Sequence, residues 1–327
     1  CKYAAACLNT LMKAGARVRS LLRSRPYIYT SGVYTPLQAK LAQMIGFETV
    51  YLSGYSASLG YLGKADLGLL SMAEMVNIAR LTSSAVGIPV IADADDGYGS
   101  AIVAMRAVRE FERAGVAGIH VEDQKGPKRC GHLVGKTVLP FDEAVLKFKA
   151  VVRAREDDDF IIIARTDALG AVGGSLDEAI RRGLAYAGVG ADMVWCEFNS
   201  PDQTDEAEKF AESIHREYPE MPLVFNYSSS FKWSKSRHRL TFEQIAGMGY
   251  KLIIVSMGAI HAEMYAVWNF LEDLLNNREK AQWRLEELKE GHPTESHHSI
   301  GEFETFKKLE EEYLPPSILE ERYGRRS

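Results

Sequence analysis

Cysteine is scarce in this sequence: Cys1, Cys7, Cys130 and Cys196 are the only four among 327 residues. Four thiols so widely spaced make neither a disulfide framework nor a structural zinc site, so a reducing, cytoplasmic interior is the expected setting. No apolar run reaches the roughly 20 residues that span a bilayer, which removes the membrane from the expected partners. An excess of positive charge is also lacking. The net charge of −5 gives no electrostatic reason to expect nucleic acid or an anionic lipid surface. It leaves room for a small anionic substrate, whose capture depends on local cations. Acidic residues are missing altogether before Glu48, while Lys13, Arg17, Arg19, Arg23 and Arg25 accumulate. Transit peptides share that composition, so organellar targeting stays open; a basic helix over residues 1–25, outside the core fold, is the preferred expectation. The first residue is Cys rather than Met, which leaves the true start open.

What is present has the balance of an ordinary globular chain, 46% hydrophobic and 25% charged. Short apolar runs recur at Tyr27–Thr30, Thr49–Ser53, Val90–Asp93, Gly118–Glu122, Ile161–Arg165, Met193–Glu197, Val224–Tyr227 and Leu252–Ser256. Most are unbroken rather than alternating, as befits parallel strands covered on both faces. Helix starts fall between them: Ser71 with Glu74, Ser175 with Glu178 and Thr241 with Gln244 have capping-box spacing. Met75, Ile78 and Ala79, then Met105, Val108 and Phe111, give the core stripes of two such helices. A doubly wound sheet would want a Gly-x-Gly-x-x-Gly turn after an early strand, and none is there. A closed barrel instead demands polar residues at strand C-termini, and Ser53, Asp93, Asp95, Glu122, Arg165, Glu197, Asn226 and Ser256 meet that demand. The expected fold is therefore α/β, a (β/α)8 TIM-type barrel in a single domain over 1–327. It comprises an N-terminal helix (1–25), the barrel (26–262) and a C-terminal helical extension (263–327). The extension reads as helices over His261–Leu275, Glu279–Glu290 and Phe303–Tyr313, with a break at Leu275-Asn276-Asn277. Trp268, Leu271, Leu275, Trp283 and Leu285 exceed what one barrel's outer layer needs, so packing on a neighbouring subunit, with helices swapped between subunits, is expected.

Three groups of residues carry chemistry. Asp93, Asp95 and Glu122 with Asp123 end adjacent strands, where their mutual repulsion is costly without a cation. All-oxygen donors point to Mg²⁺, with Mn²⁺ as the alternative; capping of the following helices is the plainer reading of any one of them. Gly97 and Gly99 permit a tight loop after Asp95. The second group is Lys128-Arg129-Cys130-Gly131-His132. Neighbouring cations are expected to lower the Cys130 thiol pKa and make its proton transferable, while His132 suits holding a carboxylate. His120 shares a strand face with Glu122 and is read either as a site residue or as a satisfied core histidine. Third, Asn226 to Trp233 bunches amide and hydroxyl donors after a strand, and Arg165 can grip a carboxylate bidentately.

Together these groups resemble the isocitrate lyase/phosphoenolpyruvate mutase superfamily. The resemblance rests on Tyr51-Leu52-Ser53-Gly54-Tyr55, Asp93 to Gly99, Glu122-Asp123-Gln124, Lys128 to His132 and Ile163 to Ala168, and covers about Tyr27 to Ala262. The cysteine loop places the chain with the carbon–carbon lyases of that superfamily, since its mutases and phosphonate hydrolases lack it. Asn226 to Trp233 and His292 to His298 are similar to blocks of short archaeal-type isocitrate lyases. The resemblance implies reversible retro-aldol cleavage of isocitrate to glyoxylate and succinate, a step of the glyoxylate cycle. It implies Mg²⁺ held by Asp93 and, through waters, by Asp66, Asp95 and Glu122. Ser53, Gly54, Tyr55, Gly131 and His132 would hold the glyoxylate portion, and Tyr51 would take part in proton removal. Arg165, Asn226, Ser228, Ser230 and Ser256 would stabilise the succinate portion, with Glu197 positioning the site and Cys130 as the acid. A homo-oligomer is implied, a tetramer favoured, with a di- or tricarboxylate as the small-molecule partner. Longer isocitrate lyases differ at Tyr55, Arg129, Tyr227, Ser229 and Ser256. The rival activities are cleavage of 2-methylisocitrate to pyruvate and succinate, or action on oxaloacetate or a substituted malate. The non-enzymatic rival is an inactive assembly paralogue.

Overall fold

The computed structural model describes residues 12–237 and 239–324; Cys1 and Cys7 lie outside the described residues. Eight parallel strands close into one barrel in sequence order. They are β1 (Ile28–Val33), β2 (Val50–Leu52), β3 (Val90–Asp93), β4 (Gly118–Glu122), β5 (Ile161–Thr166), β6 (Met193–Cys196), β7 (Leu223–Asn226) and β8 (Tyr250–Val255). Each corresponds to an expected apolar run, shifted by at most a few residues. The registers bring strand ends together, with Asp93 opposite His120 and Glu122 opposite Arg165.

A basic helix, α1 (Ala14–Ser24), precedes the barrel. Between strands run α2 (Pro36–Ile45), the short α3 (Gly54–Ala57), α4 (Met72–Ala85), α5 (Ala101–Arg113), α6 (Phe141–Ala154), α7 (Leu176–Gly188), α8 (Thr204–Glu217) and α9 (Phe242–Gly247). Reciprocal capping boxes start α4 at Ser71–Glu74 and α9 at Thr241–Gln244. At α7 the Ser175 side chain accepts from Glu178 N, but the box stays open. The Glu178 carboxylate turns instead to Arg181 at 2.9 Å and Arg182 at 2.8 Å, since charge-assisted partners outcompete a backbone amide. The α4 stripe of Met75, Ile78 and Ala79 is buried as expected. On α5 the buried set is Ala104, Ala107, Val108 and Phe111, with Met105 only partly covered.

Apolar side chains inside the barrel, among them Ile91, Ile161, Ile163, Trp195 and Ile254, form one core. Others on the outer strand faces meet the helices. Covered on both faces, the strands read as runs. Val18 of α1 is fully buried against the interior core, so α1 plugs the N-terminal end of the barrel. It is fastened there by Asp192, which precedes β6. Asp192 accepts from Arg19 at 2.7 Å, from Arg155 at 2.6 Å and from the Ile162 amide at 2.8 Å.

The chain divides between Ala262 and Glu263 into two compact units, and the division falls within α10 (Gly258–Asn277). That helix runs unbroken through Leu275-Asn276-Asn277 and stops one residue later, at Arg278 with φ 53°. Good helix formers on both sides carry it past the two asparagines. Then come α11 (Glu279–Lys289), α12 (His297–Ile300), α13 (Phe303–Tyr313) and α14 (Pro316–Tyr323). Trp268, Leu271, Leu275 and Trp283 are exposed. Among the described residues no helix is long and apolar enough to cross a membrane.

Removing the Asp192 carboxylate leaves two guanidinium groups without their shared acceptor. Asp192→Ala is expected to lower unfolding free energy by about 2 kcal/mol, discounted from the cost of a fully buried pair because both arginines are part-exposed. In urea the midpoint falls at unchanged slope; an unmoved midpoint would show that Asp192 does not fasten α1.

Candidate active site

The C-terminal ends of the strands carry an acidic cluster. Asp93, last residue of β3, accepts from Tyr51 Oη at 3.3 Å, from the Gly54 amide at 3.1 Å and from the Asp95 amide at 2.9 Å. His120 Nε2 lies 3.1 Å from its Oδ1. Gly54 is required by this approach, because a Cβ there would stand 2.5 Å from Asp93 Oδ2. Burial pushes the Asp93 carboxyl up, but His120 and Lys128 outweigh it and hold the group well below the ordinary range. Asp95 adopts φ 50°, a left-handed conformation that Asp tolerates better than most residues. Its carboxylate pairs with Lys128, which also bonds Asp66 Oδ2 at 2.8 Å. Burial, reinforced by Asp93 and Asp66 against the pull of Lys128, pushes Asp95 up to about 7. Glu122 is raised well above the ordinary range, first by burial. Its Oε2 lies 3.5 Å from Arg165 Nη1, and its Oε1 is buried without a hydrogen-bond partner.

The donor chemistry fits a divalent cation of one kind. Among the described residues no three His, Cys, Asp or Glu side chains converge closely enough to ligate an ion directly. Yet Asp66, Asp93, Asp95 and Glu122 are all buried, and their ion pairs with lysine or arginine among the described residues come from Lys128 and the shared Arg165. An orphaned carboxylate oxygen and surplus negative charge suit Mg²⁺, which keeps several of its waters and meets protein oxygens through them.

The cysteine loop closes over this region. Its base is a short antiparallel pairing: Gln124 bridges Val138, Lys125 N donates to Thr137 O at 2.8 Å, and Leu139 N to Asp123 O at 2.9 Å. Cys130 N donates to Asp66 O at 3.1 Å. The expected lowering of the Cys130 pKa is overturned. Burial, with Asp66 and Glu197 adding to it, pushes the thiol up to about 11 against the smaller opposing effects of the His132 amide and Arg165. The cations adjacent in sequence do not face it: Lys128 turns to Asp66 and Asp95, and Arg129 donates to Val134 O at 2.9 Å. A thiol that keeps its proton near neutrality is a proton donor rather than a nucleophile.

Five candidate residues form one network. His132 Nε2 lies 2.8 Å from Glu197 Oε1, and Asn226 Nδ2 donates to the same oxygen at 2.9 Å. Ser256 Oγ donates to Asn226 Oδ1 at 2.9 Å. Arg165 Nε is 3.8 Å from Glu197 Oε2, with its guanidinium over the Trp195 ring at 4.9 Å. Burial pushes Glu197 up, but Arg165 and His132 prevail and hold it at about 2. Deeper in the barrel, His120 Nδ1 meets Tyr51 Oη at 3.2 Å and its ring packs on Trp195. Tyr55 is part-buried, its hydroxyl pushed up by burial and then by Cys130 and Asp66. Ser53 is buried and caps α3 through Ser56 N at 3.3 Å. Ser228 is buried as well, but its Oγ accepts from Ser230 N at 3.2 Å, and Ser230 itself is exposed. This pair forms a serine turn, outside the Glu197 network.

Two further residues escaped the sequence reading. Asp167 is fully buried and accepts from Arg165 Nη2 at 3.1 Å and from Lys136 Nζ at 2.7 Å. Its spacing of two from Arg165 was the available signal. Lys136 is 2% exposed, and nothing in its surroundings in sequence distinguishes it from a surface lysine.

The family model for phosphoenolpyruvate phosphomutase matches residues 18–275. The chain belongs to the phosphoenolpyruvate mutase/isocitrate lyase superfamily. It is 42% identical to an isocitrate lyase of Haloferax volcanii, across 91% of this chain and 86% of that protein. To a 2-methylisocitrate lyase of Aeropyrum pernix it is 37% identical, across 81% of each. Among solved structures, phosphonopyruvate hydrolase in complex with oxalate and Mg²⁺ superposes with a TM-score of 0.79 at 30% identity, covering 93% of this chain and all of that one. Superfamily membership accounts for the closed barrel with polar strand ends, and the Mg²⁺ in that hydrolase accords with the acidic cluster found here.

Asp95→Asn is expected to weaken Mg²⁺ binding roughly 10- to 100-fold, the usual cost of losing a group that orients metal-bound water. Isothermal titration of the wild-type and variant proteins reads this directly, and equal affinities would remove Asp95 from the metal site.

Proposed function

We propose that this chain is a Mg²⁺-dependent carbon–carbon lyase that cleaves isocitrate reversibly to glyoxylate and succinate. The observation that carries the reading is Cys130, a largely buried thiol held in its protonated form beside Arg165 and Glu197, near the acidic cluster. A lyase that releases a carbanion needs such a donor. The 42% identity to an isocitrate lyase over most of the chain supports the choice of substrate.

When bound, Mg²⁺ would be held by Asp93 and, through waters, by Asp66, Asp95 and Glu122, and it polarises the oxygens of the glyoxylate portion as a Lewis acid. In this reading Tyr51 Oη takes the C2 hydroxyl proton while passing its own to His120 Nδ1, a role supported by their 3.2 Å contact. The C2–C3 bond then breaks, its electron pair remaining on C3 and spreading into the adjacent carboxylate. Arg165, Asn226 and Ser256 are the donors assigned to that charge, which needs preorganised dipoles; Glu197 fixes Asn226 and His132. Ser53, Gly54, Tyr55, Gly131 and His132 hold the glyoxylate portion. Cys130 Sγ gives its proton to C3 and completes succinate.

Identity to a 2-methylisocitrate lyase supports a second reading, in which pyruvate replaces glyoxylate. The exposed apolar side chains Trp268, Leu271, Leu275 and Trp283 support a homo-oligomer, for which a tetramer is proposed, with Mn²⁺ as an alternative metal and a cytoplasmic setting.

Incubation with isocitrate and Mg²⁺ is expected to yield trapped glyoxylate, abolished by chelation, with 2-methylisocitrate cleaved more slowly. Faster release of pyruvate from the methyl homologue would reverse the assignment. Cys130→Ser is expected to lower cleavage on the order of 10²- to 10⁴-fold, the range for one general acid. Full activity in that variant would rule out the thiol as donor.

A further inference from the structure

The cysteine loop has a buried lysine at each end, Lys128 and Lys136, and each ammonium meets a barrel carboxylate. Lys128 belongs to the acidic cluster. Lys136 takes no part in the chemistry set out above, although burying an ammonium is costly unless it is fully partnered. Its partners show what it does. Nζ donates to Asp167 Oδ1 at 2.7 Å and to the Gly131 carbonyl, with Asn199 Oδ1 at 3.5 Å. Its own carbonyl accepts from Val172 N at 2.9 Å. Lys136 therefore reaches back across the loop to the residue between Cys130 and His132.

The same Asp167 oxygen accepts from Arg165 Nη2 at 3.1 Å. One carboxylate thus ties the loop to the guanidinium assigned to the substrate. Gly131 is pressed against this junction: a Cβ there would lie 2.2 Å from Arg165 Nη2 and 2.9 Å from Glu197 Cγ. The loop's middle is seated on the site, and the only side-chain donor bonded to the Gly131 carbonyl among the described residues is Lys136.

We propose that Lys136 is a positioning residue, which holds the Gly131 carbonyl to Asp167 and so sets Cys130 and His132 against Arg165 and Glu197. The proposal rests on the lyase reading only in taking Cys130 as the acid. Lys136→Met isolates it, because methionine keeps most of the apolar stem and removes all three donors. Asp167 would not be stranded in that variant, since Arg165 and Gln124 Nε2, at 3.3 Å, still reach it.

The experiment follows methyl methanethiosulfonate modification of Cys130 by peptide mass spectrometry, with Cys196, fully buried in β6, as internal control. In Lys136→Met, modification of Cys130 is expected to accelerate about tenfold or more as the loop lifts from the site, with Cys196 still protected. Loss of the cation alone would disfavour the thiolate and slow the reaction, so acceleration reports position rather than charge. With isocitrate, kcat is expected to fall on the order of 100-fold, more than KM rises, as for a displaced catalytic group. Unchanged protection of Cys130, or equal acceleration at Cys196, would overturn the proposal. Should Lys136→Met fail to fold, Asp167→Asn is read by the same two thiols with the same expected direction. The modification arm needs no turnover, so a wild-type protein that leaves isocitrate intact would defeat the isocitrate reading while the positioning role is still decided.

Discussion

Four carboxylates, Asp66, Asp93, Asp95 and Glu122, are buried at one end of the barrel, and the organisation of the site depends on how their charge is balanced. An ionised carboxylate without a partner is too costly to keep in a protein interior. Asp93 is balanced by His120, Lys128 and backbone amides, whereas Asp95 is driven up to about 7 and Glu122 retains an unpartnered oxygen. Lys128 answers part of the imbalance, and in doing so brings the start of the cysteine loop down onto the barrel. The remaining acidic oxygens suit a hydrated divalent cation.

The loop's seating then decides the chemistry of its side chains. Residues next to each other in sequence diverge in space: Lys128 faces the acids, Arg129 faces Val134, and Cys130 is left in a place where burial dominates. Glu197 lies in the same network as Arg165 and His132 and moves the opposite way, to about 2. In the proposed reading, the thiol kept protonated supplies the donor and the nearby carboxylate held ionised orients the site. Environment holds both states more firmly than water does, since a free thiol titrates at about 8.5 and a free glutamate at about 4.3.

Much of this was legible in the sequence, and the reasons differ by residue. Strand runs such as Ile161–Arg165 are unmistakable because parallel strands are buried on both sides. Asp93, Glu122, Arg165, Glu197 and Asn226 could be placed because each directly ends or follows such a run. The Ser175 box failed because Arg181 and Arg182, three and four residues further along the same helix, compete for Glu178. Lys136 stayed hidden because its burial depends on a loop folding back on itself, which leaves no periodic trace, whereas Asp167 was visible only as part of the Ile163 to Ala168 block.

The sequence by itself determined the order and kind of the elements, the barrel, and the strand ends at which the acids, Arg165 and Asn226 would gather. These follow from local patterns of burial and polarity, which the chain carries in any conformation. Only the tertiary structure decided which cation faces which anion. It alone turned the Cys130 thiol from an expected low pKa to a high one, and set Ser230 in an exposed turn while Ser256 joined Asn226. Those outcomes depend on distances between residues far apart in the chain, and on desolvation that exists only once the barrel has closed around them.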